Sequence, residues 1–139
     1  MNHAPVVIDT NVVVSGLLTT QNNAPVAQIL DGMLSAAFPF VVSPALLAEY
    51  HKVLVRPQIK KLHGLTIAEV ETILTDIAQH AIVMDPRPAD AAPDPGDQLL
   101  WDLLNERSDL VLVTGDKLLL TNMAMRGRVI SPRYFVDSR

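Results

Sequence analysis

Three polar residues, Asp9, Thr10 and Asn11, sit inside the otherwise apolar run VVIDTNVVVSGLL at positions 6–18. A carboxylate is costly to bury unless something pairs with it, so Asp9 must cap a helix, reach water or help hold a cation. Three further acids raise the same question: Glu49 in SPALLAEYHKVLVRP, Asp97 in DPGDQLLWDLL and Asp116 in DLVLVTGDKLLL. If the four meet, they raise one another's pKa and push apart unless a cation lies among them. An oxygen-only donor set suits a hard divalent ion, Mg2+ or Mn2+, better than zinc. The chain has no cysteine, and its four histidines, at 3, 51, 63 and 80, lack metal-ligand spacing.

Each acid also has an ordinary structural explanation. Asp9 could cap a helix beginning at Asn11, Asp94 and Asp97 could favour the positive end of the helix that follows them, Glu49 could be a solvated helix acid, and Asp116 could serve its turn. The charge balance argues for the set as a whole. The net charge is −4, and without these four the remaining acids equal the Lys and Arg in number. The surplus negative charge is therefore the size of the proposed site, and bulk positive charge for coating nucleic acid is absent.

The elements that must position these acids follow from pattern. Val6–Ile8 reads as a buried strand, with Asp9 at its end, and Val12–Leu18 reads equally as strand or helix. Asn23-Ala24-Pro25 starts a helix through Val26, Ile29, Leu30, Met33 and Leu34, and Phe40–Val42 is a second strand. Ser43-Pro44 caps a helix whose apolar stripe is Leu46, Leu47, Tyr50 and Leu54, with Glu49 beside the stripe and Pro57 as the stop. Thr66 and Glu69 form a capping box for a helix to about His80, followed by a strand at Ala81–Met84. DPRPADAAPDPG at 85–96 is an exposed loop, and Asp94-Pro95 opens a helix carrying Leu99, Leu100, Leu103 and Leu104. Leu110–Val113 is a fourth strand, Thr114-Gly115-Asp116 a tight turn, Lys117–Met125 a helix, and Val129-Ile130 a last strand. Alternation of this kind implies an α/β fold: a parallel sheet of four to five strands with helices on both faces. Ligands in such sheets bind at the carboxyl ends of the strands, which is where the four acids fall.

At 139 residues the chain is sized for a single domain, 1–139. No apolar run reaches membrane-spanning length, and the start lacks the pattern of a secretory signal, so the expected location is the cytoplasm, with no membrane association.

The four quoted stretches, in that order and over nearly the whole chain, resemble a PIN domain, in particular the branch that supplies the toxins of toxin–antitoxin pairs. The resemblance implies a PIN-like three-layer sandwich and a metal-dependent endoribonuclease with Mg2+ or Mn2+. Asp9, Glu49, Asp97 and Asp116 would be its catalytic and metal-binding acids, and Asn11, Ser15 and Thr114 would support them. DPGDQ departs from the family's denser acidic motif at Gly96. Asp97 keeps the offset to Leu99-Leu100, which assigns it as the ligand over Asp94. The partners implied are an RNA substrate and a small antitoxin protein. Bases available to grip phosphates are Arg56, Lys60, Lys61 and Lys117, then Arg126, Arg128 and Arg133. Six aromatics are too few for a base-stacking platform. Trp101 belongs to the core or to an oligomer contact, which leaves a homodimer open. Two alternatives remain: a catalytically silent scaffold of the same fold that binds nucleic acid or protein, and, more distantly, a haloacid-dehalogenase-type phosphotransferase. The phosphotransferase would need an acid where Asn11 stands and another where Leu120 stands.

Overall fold

The computed structural model describes residues 4–121 and 128–139. The strands are β1 (Val6–Ile8), β2 (Val41–Val42), β3 (Ile82–Val83), β4 (Val111–Val113) and β5 (Val129–Ile130). The helices are α1 (Thr10–Leu18), α2 (Pro25–Ser35), α3 (Pro44–Leu54), α4 (Pro57–His63), α5 (Ile67–His80), α6 (Gln98–Glu106), α7 (Lys117–Leu120) and α8 (Pro132–Asp137). Every pairing is parallel. β1 runs beside β4 from Val6 with Val111 to Ile8 with Val113, β4 runs beside β5, and β2 beside β3. A single bridge between Val6 and Phe40 joins the two ladders, so the order across the molecule is β3, β2, β1, β4, β5. The chain steps outward twice from β1 and then returns to its other side. With right-handed crossovers, that reversal places helices on both faces and leaves a crevice beyond the carboxyl ends of β1 and β4.

The α/β architecture expected from the alternation is thus the one found, with strands even shorter than the apolar runs suggested. Val7, Ile8, Phe40, Val41, Val42, Leu112 and Val113 are wholly buried, as continuous apolar runs must be when helices cover both faces. β3 differs: Ile82 and Val83 stay exposed.

Local chemistry explains most boundaries. Residues 12–18 form a helix because β1 ends at Ile8. Asp9 then turns the chain with extended backbone, and its carbonyl accepts from the Val12 N–H at 3.0 Å. Gly16 lets α2 approach, since a Cβ there would lie 2.6 Å from the Val26 carbonyl oxygen. Ser43 Oγ accepts from the Leu46 N–H at 3.0 Å and fixes the start of α3. The Thr66 and Glu69 capping box has both of its bonds, 3.1 and 3.0 Å. Residues 85–96 form the expected loop, ending in a short 3-10 turn, Pro95–Asp97, from which α6 starts.

Two helices depart from the expectation. α3 ends at Leu54, and Pro57, expected only as a stop, is the first residue of α4, which closes on Gly64 at φ 69°. Proline fits the first helical turn, where its missing N–H would have had no partner. α8 has no apolar stripe to announce it, although Ser131-Pro132 repeats the Ser43-Pro44 start and Ser131 Oγ accepts from the Tyr134 N–H. The helix expected at Lys117–Met125 is α7 as far as Leu120, and residues 122–125 lie outside the described residues. Among the described residues no helix is long and apolar enough to cross a membrane.

Candidate active site

The four acids arrive by four routes. Asp9 follows β1 and is the N-cap of α1, and Asp116 follows β4 by a short turn and is the N-cap of α7. Glu49 lies midway along α3, and Asp97 ends the 3-10 turn that leads into α6. All four line one open cavity of about 390 Å³, together with the polar Asn11 and Ser15 and the apolar Val14, Val53, Leu99 and Leu100.

The β1/β4 edge carries a closed hydrogen-bond network. The Asp9 N–H bonds the Val113 carbonyl at 3.0 Å and the Thr114 N–H bonds the Ile130 carbonyl at 3.0 Å, which continues the ladder into the site. Thr114 is wholly buried. Its hydroxyl donates to Asp9 Oδ2 at 2.7 Å and accepts from Asn11 Nδ2 at 3.2 Å and the Asp116 N–H at 3.0 Å. One donor and two lone pairs are all a hydroxyl has, so its orientation is fully determined. Asn11 Nδ2 also donates to Asp9 Oδ2 at 3.2 Å, and Asn11 Oδ1 accepts from the Gly115 N–H at 3.1 Å. Among the described residues Asp9 Oδ1 accepts only from the Thr10 N–H, at 2.7 Å. The spare acceptor capacity of Asp9 is therefore on Oδ1. Asp9 is both a helix cap and a wall of the cavity.

Electrostatics ties the acids together. The Asp9 pKa is raised above the ordinary carboxylate value, chiefly by burial and further by Asp116 and Glu49, against the lowering effect of the Thr114 hydroxyl and the Thr10 N–H. Asp97 is raised by burial first, then by Asp94, Asp9 and Asp116. Among the described residues no Lys or Arg lines the cavity. Among the described residues the carboxylates of Glu49 and Asp97 accept no hydrogen bond, and no three acid or histidine side chains close on one point tightly enough to hold a metal unaided. The donors are hard oxygens around open space, which fits a divalent ion that keeps several of its waters.

The other residues singled out from sequence divide clearly. Asp94 is exposed, and its Oδ1 accepts from the Gly96 N–H at 2.9 Å. It caps the 3-10 turn and does not line the cavity. Lys117 is exposed beside Asp116, and Arg56 is exposed between α3 and α4. Lys60 and Lys61 line a separate shallow depression with Pro57 and Thr66. Arg128 donates to the Leu110 and Arg107 carbonyls at the amino end of β4, the edge opposite the site. Arg133 is exposed on α8, and Arg126 lies outside the described residues. Trp101 packs, partly buried, against the core.

Two features went unread in the sequence. Gln98 Nε2 donates to Asp102 Oδ1 and the Asp90 carbonyl, while Gln98 Oε1 and Asp102 Oδ1 accept from the Ala92 and Ala89 N–H groups. These bonds clamp the loop before Asp97 onto α6, and no spacing rule announces such a pair. The second feature is Tyr50, counted only as part of an apolar stripe; its hydroxyl donates to the Ile8 carbonyl.

No curated protein matches the chain significantly. The family profile described as the PIN domain matches residues 5–118, a span holding β1 through β4, all four acids, Asn11 and Thr114. PIN domains are generally nucleases that act on nucleic acids and typically use divalent metal ions. With the match covering most of the chain and the acidic cavity lying inside it, this protein belongs to the PIN domain family.

Proposed function

We propose that this chain is a metal-dependent endoribonuclease, and the toxin of a type II toxin–antitoxin pair. The observation that carries the nuclease reading is the meeting of Asp9, Glu49, Asp97 and Asp116 around one cavity whose described lining holds no cationic side chain. Mg2+ or Mn2+ bound there would supply Lewis-acid stabilisation of charge on a phosphodiester and an activated water near neutral pH. Asp9 would offer Oδ1, because Thr114 and Asn11 occupy Oδ2. Asp116 would offer Oδ2, because the Leu118 N–H occupies Oδ1. Glu49 and Asp97 would complete the charge. Lys117 and Arg56, both exposed, would be the bases to hold flanking phosphates.

The toxin reading rests on resemblance, with one physical support. A cavity walled by four acids would receive an arginine or lysine, and an antitoxin inserting one would occupy the carboxylates with charge-assisted hydrogen bonds. The phosphotransferase alternative loses ground to the network, because the position two residues after Asp9 is an amide spent on Asp9, Thr114 and Gly115.

Purified protein should cleave an unstructured RNA with Mn2+ or Mg2+, stop with EDTA, and lose activity in Asp9→Asn and in Asp116→Asn. Cleavage surviving either substitution would place the activity elsewhere. Metal binding without cleavage of any RNA would favour the scaffold. Induced expression of wild type and Asp9→Asn, with and without any small adjoining reading frame, tests the toxin reading: arrest by the wild type only, relieved by the neighbour, supports it, and harmless overexpression of an active nuclease removes it.

A further inference from the structure

Tyr50 is a polar residue in an apolar place. It is wholly buried on α3, one residue after Glu49, and its hydroxyl donates to the carbonyl of Ile8, one residue before Asp9. The sheet explains why that carbonyl needs a partner. Along a strand, successive residues direct their backbone groups to alternate sides: the Val6 N–H bonds Pro39 on the β2 side, and the Asp9 N–H bonds Val113 on the β4 side. The Ile8 carbonyl therefore points toward β2. The one bridge between these strands is at Val6 and Phe40, so β2 has already parted from β1 at this level. A buried carbonyl without a partner is costly, and the Tyr50 hydroxyl takes the place of the missing ladder bond.

We propose that Tyr50 is a positioning residue: its bond to the Ile8 carbonyl sets the separation of Glu49 from Asp9 and through it the affinity of the acidic cavity for a divalent cation. The inference rests on the metal-dependent reading above. No described residue bonds the Glu49 carboxylate, so its place is given by where α3 lies against β1. Leu46 and Leu54, buried on the same helix, contribute packing that is not directional. The hydroxyl-to-carbonyl bond is directional and joins the backbone one residue from each acid.

The test titrates Mn2+ calorimetrically into wild type, Asp9→Asn, Tyr50→Phe and Val70→Ala, and follows cleavage of poly(U) RNA against Mn2+ concentration. Tyr50→Phe keeps the ring and removes only the bond; Val70, buried on α5, is a core truncation that reports the effect of lost stability alone. The Mn2+ dissociation constant of Tyr50→Phe should rise about tenfold or more, the range for residues that orient ligands. Its rate at saturating Mn2+ should stay within about threefold of wild type, the mark of lost binding with retained chemistry. Val70→Ala should lose melting temperature with its Mn2+ affinity intact. An unchanged constant in Tyr50→Phe, or an equal rise in Val70→Ala, overturns the role of Tyr50 while leaving the metal site standing. No Mn2+ binding by wild type, or binding that Asp9→Asn retains, overturns the metal reading and the role of Tyr50 with it.

Discussion

Asp9 and Asp116 sit at the ends of two paired strands and share a network in which every capacity of the Thr114 hydroxyl is used. Glu49 and Asp97 come from a helix and from a turn after a long loop, and no described residue bonds either carboxylate. One half of the cavity is thus fixed by the sheet; the other is placed only by the elements that carry it. The difference follows from what each element can supply. Parallel strands held in register fix backbone N–H groups and neighbouring side chains to within a hydrogen bond, whereas an unbonded acid on a helix keeps its rotamer freedom. Such a site presents a rigid anchor to a cation on one side and adjustable charge on the other.

The largest expected effect is at the anchor. Asp9→Asn removes a charge and also turns an NH2 group toward either the Thr10 N–H or the Thr114 and Asn11 donors, so RNA cleavage should fall by more than about 100-fold, beyond the range for residues that merely orient ligands. Glu49→Gln, with no network to disturb, should cost less. Equal losses in the two variants, measured at saturating metal, would break the comparison.

Next is Thr114→Val, which keeps the shape and deletes the hydroxyl. Asp9 Oδ2, Asn11 and the Asp116 N–H each lose a partner. Mn2+ affinity should fall about 10–100-fold, and stability by roughly 1–3 kcal/mol for buried groups left unpaired. Thr114→Ser should restore both. Calorimetric titration and thermal unfolding of the three proteins decide it, and a Val variant with native affinity would show that Thr114 does not hold the anchor.

The rigid half was also the more legible half in sequence. Asp9, Thr114 and Asp116 are tied to strand ends that β-branched runs reveal, and the crossovers between those runs bring the ends to one edge. The other half was legible only as one acid inside a helix, Glu49, and one at the start of another, Asp97. What seats it could not be read: the Gln98–Asp102 clamp joins residues of one helix face to a proline-rich loop whose path no pattern predicts. Tyr50 hid for another reason, since an apolar stripe reports burial and is silent about a hydroxyl at its far end. Pro57 and Ser131-Pro132 carry a signal that points two ways, because proline breaks one helix and starts another with the same ring.

The pH response separates the halves more finely. Asp9 is raised above the ordinary carboxylate value, so the metal-free fold binds its proton more tightly than the unfolded chain does. Its contribution to stability is complete below the unfolded value and is lost as pH rises through the raised native one. Asp9→Asn has no such loss, so its melting temperature relative to metal-free wild type should climb across that window and level off toward neutrality. Because Mn2+ competes with the same proton, its stabilisation of the wild type should grow over the same window. Scanning calorimetry of both proteins from acidic to neutral pH measures both trends; parallel curves would mean that Asp9 titrates as an ordinary surface acid.

The smallest effect turns on sign. Asp97 is less enclosed than Asp9, is raised by burial and then by Asp94, Asp9 and Asp116, and gives up no hydrogen bond on becoming an amide. Asp97→Asn should therefore raise the metal-free melting temperature, by about 1–2 °C once solvent screening is allowed for. Asp9→Asn also relieves repulsion but dismantles the network around Thr114, so at neutral pH its melting temperature should fall. Saturating Mn2+ should place the wild type above both, since a ligand that binds the native state stabilises it by mass action. One charge removed from either side of the same cavity thus gives opposite shifts, because only one side is held. A fall in metal-free Asp97→Asn would show that its carboxylate is held as well, and that the two halves are built alike.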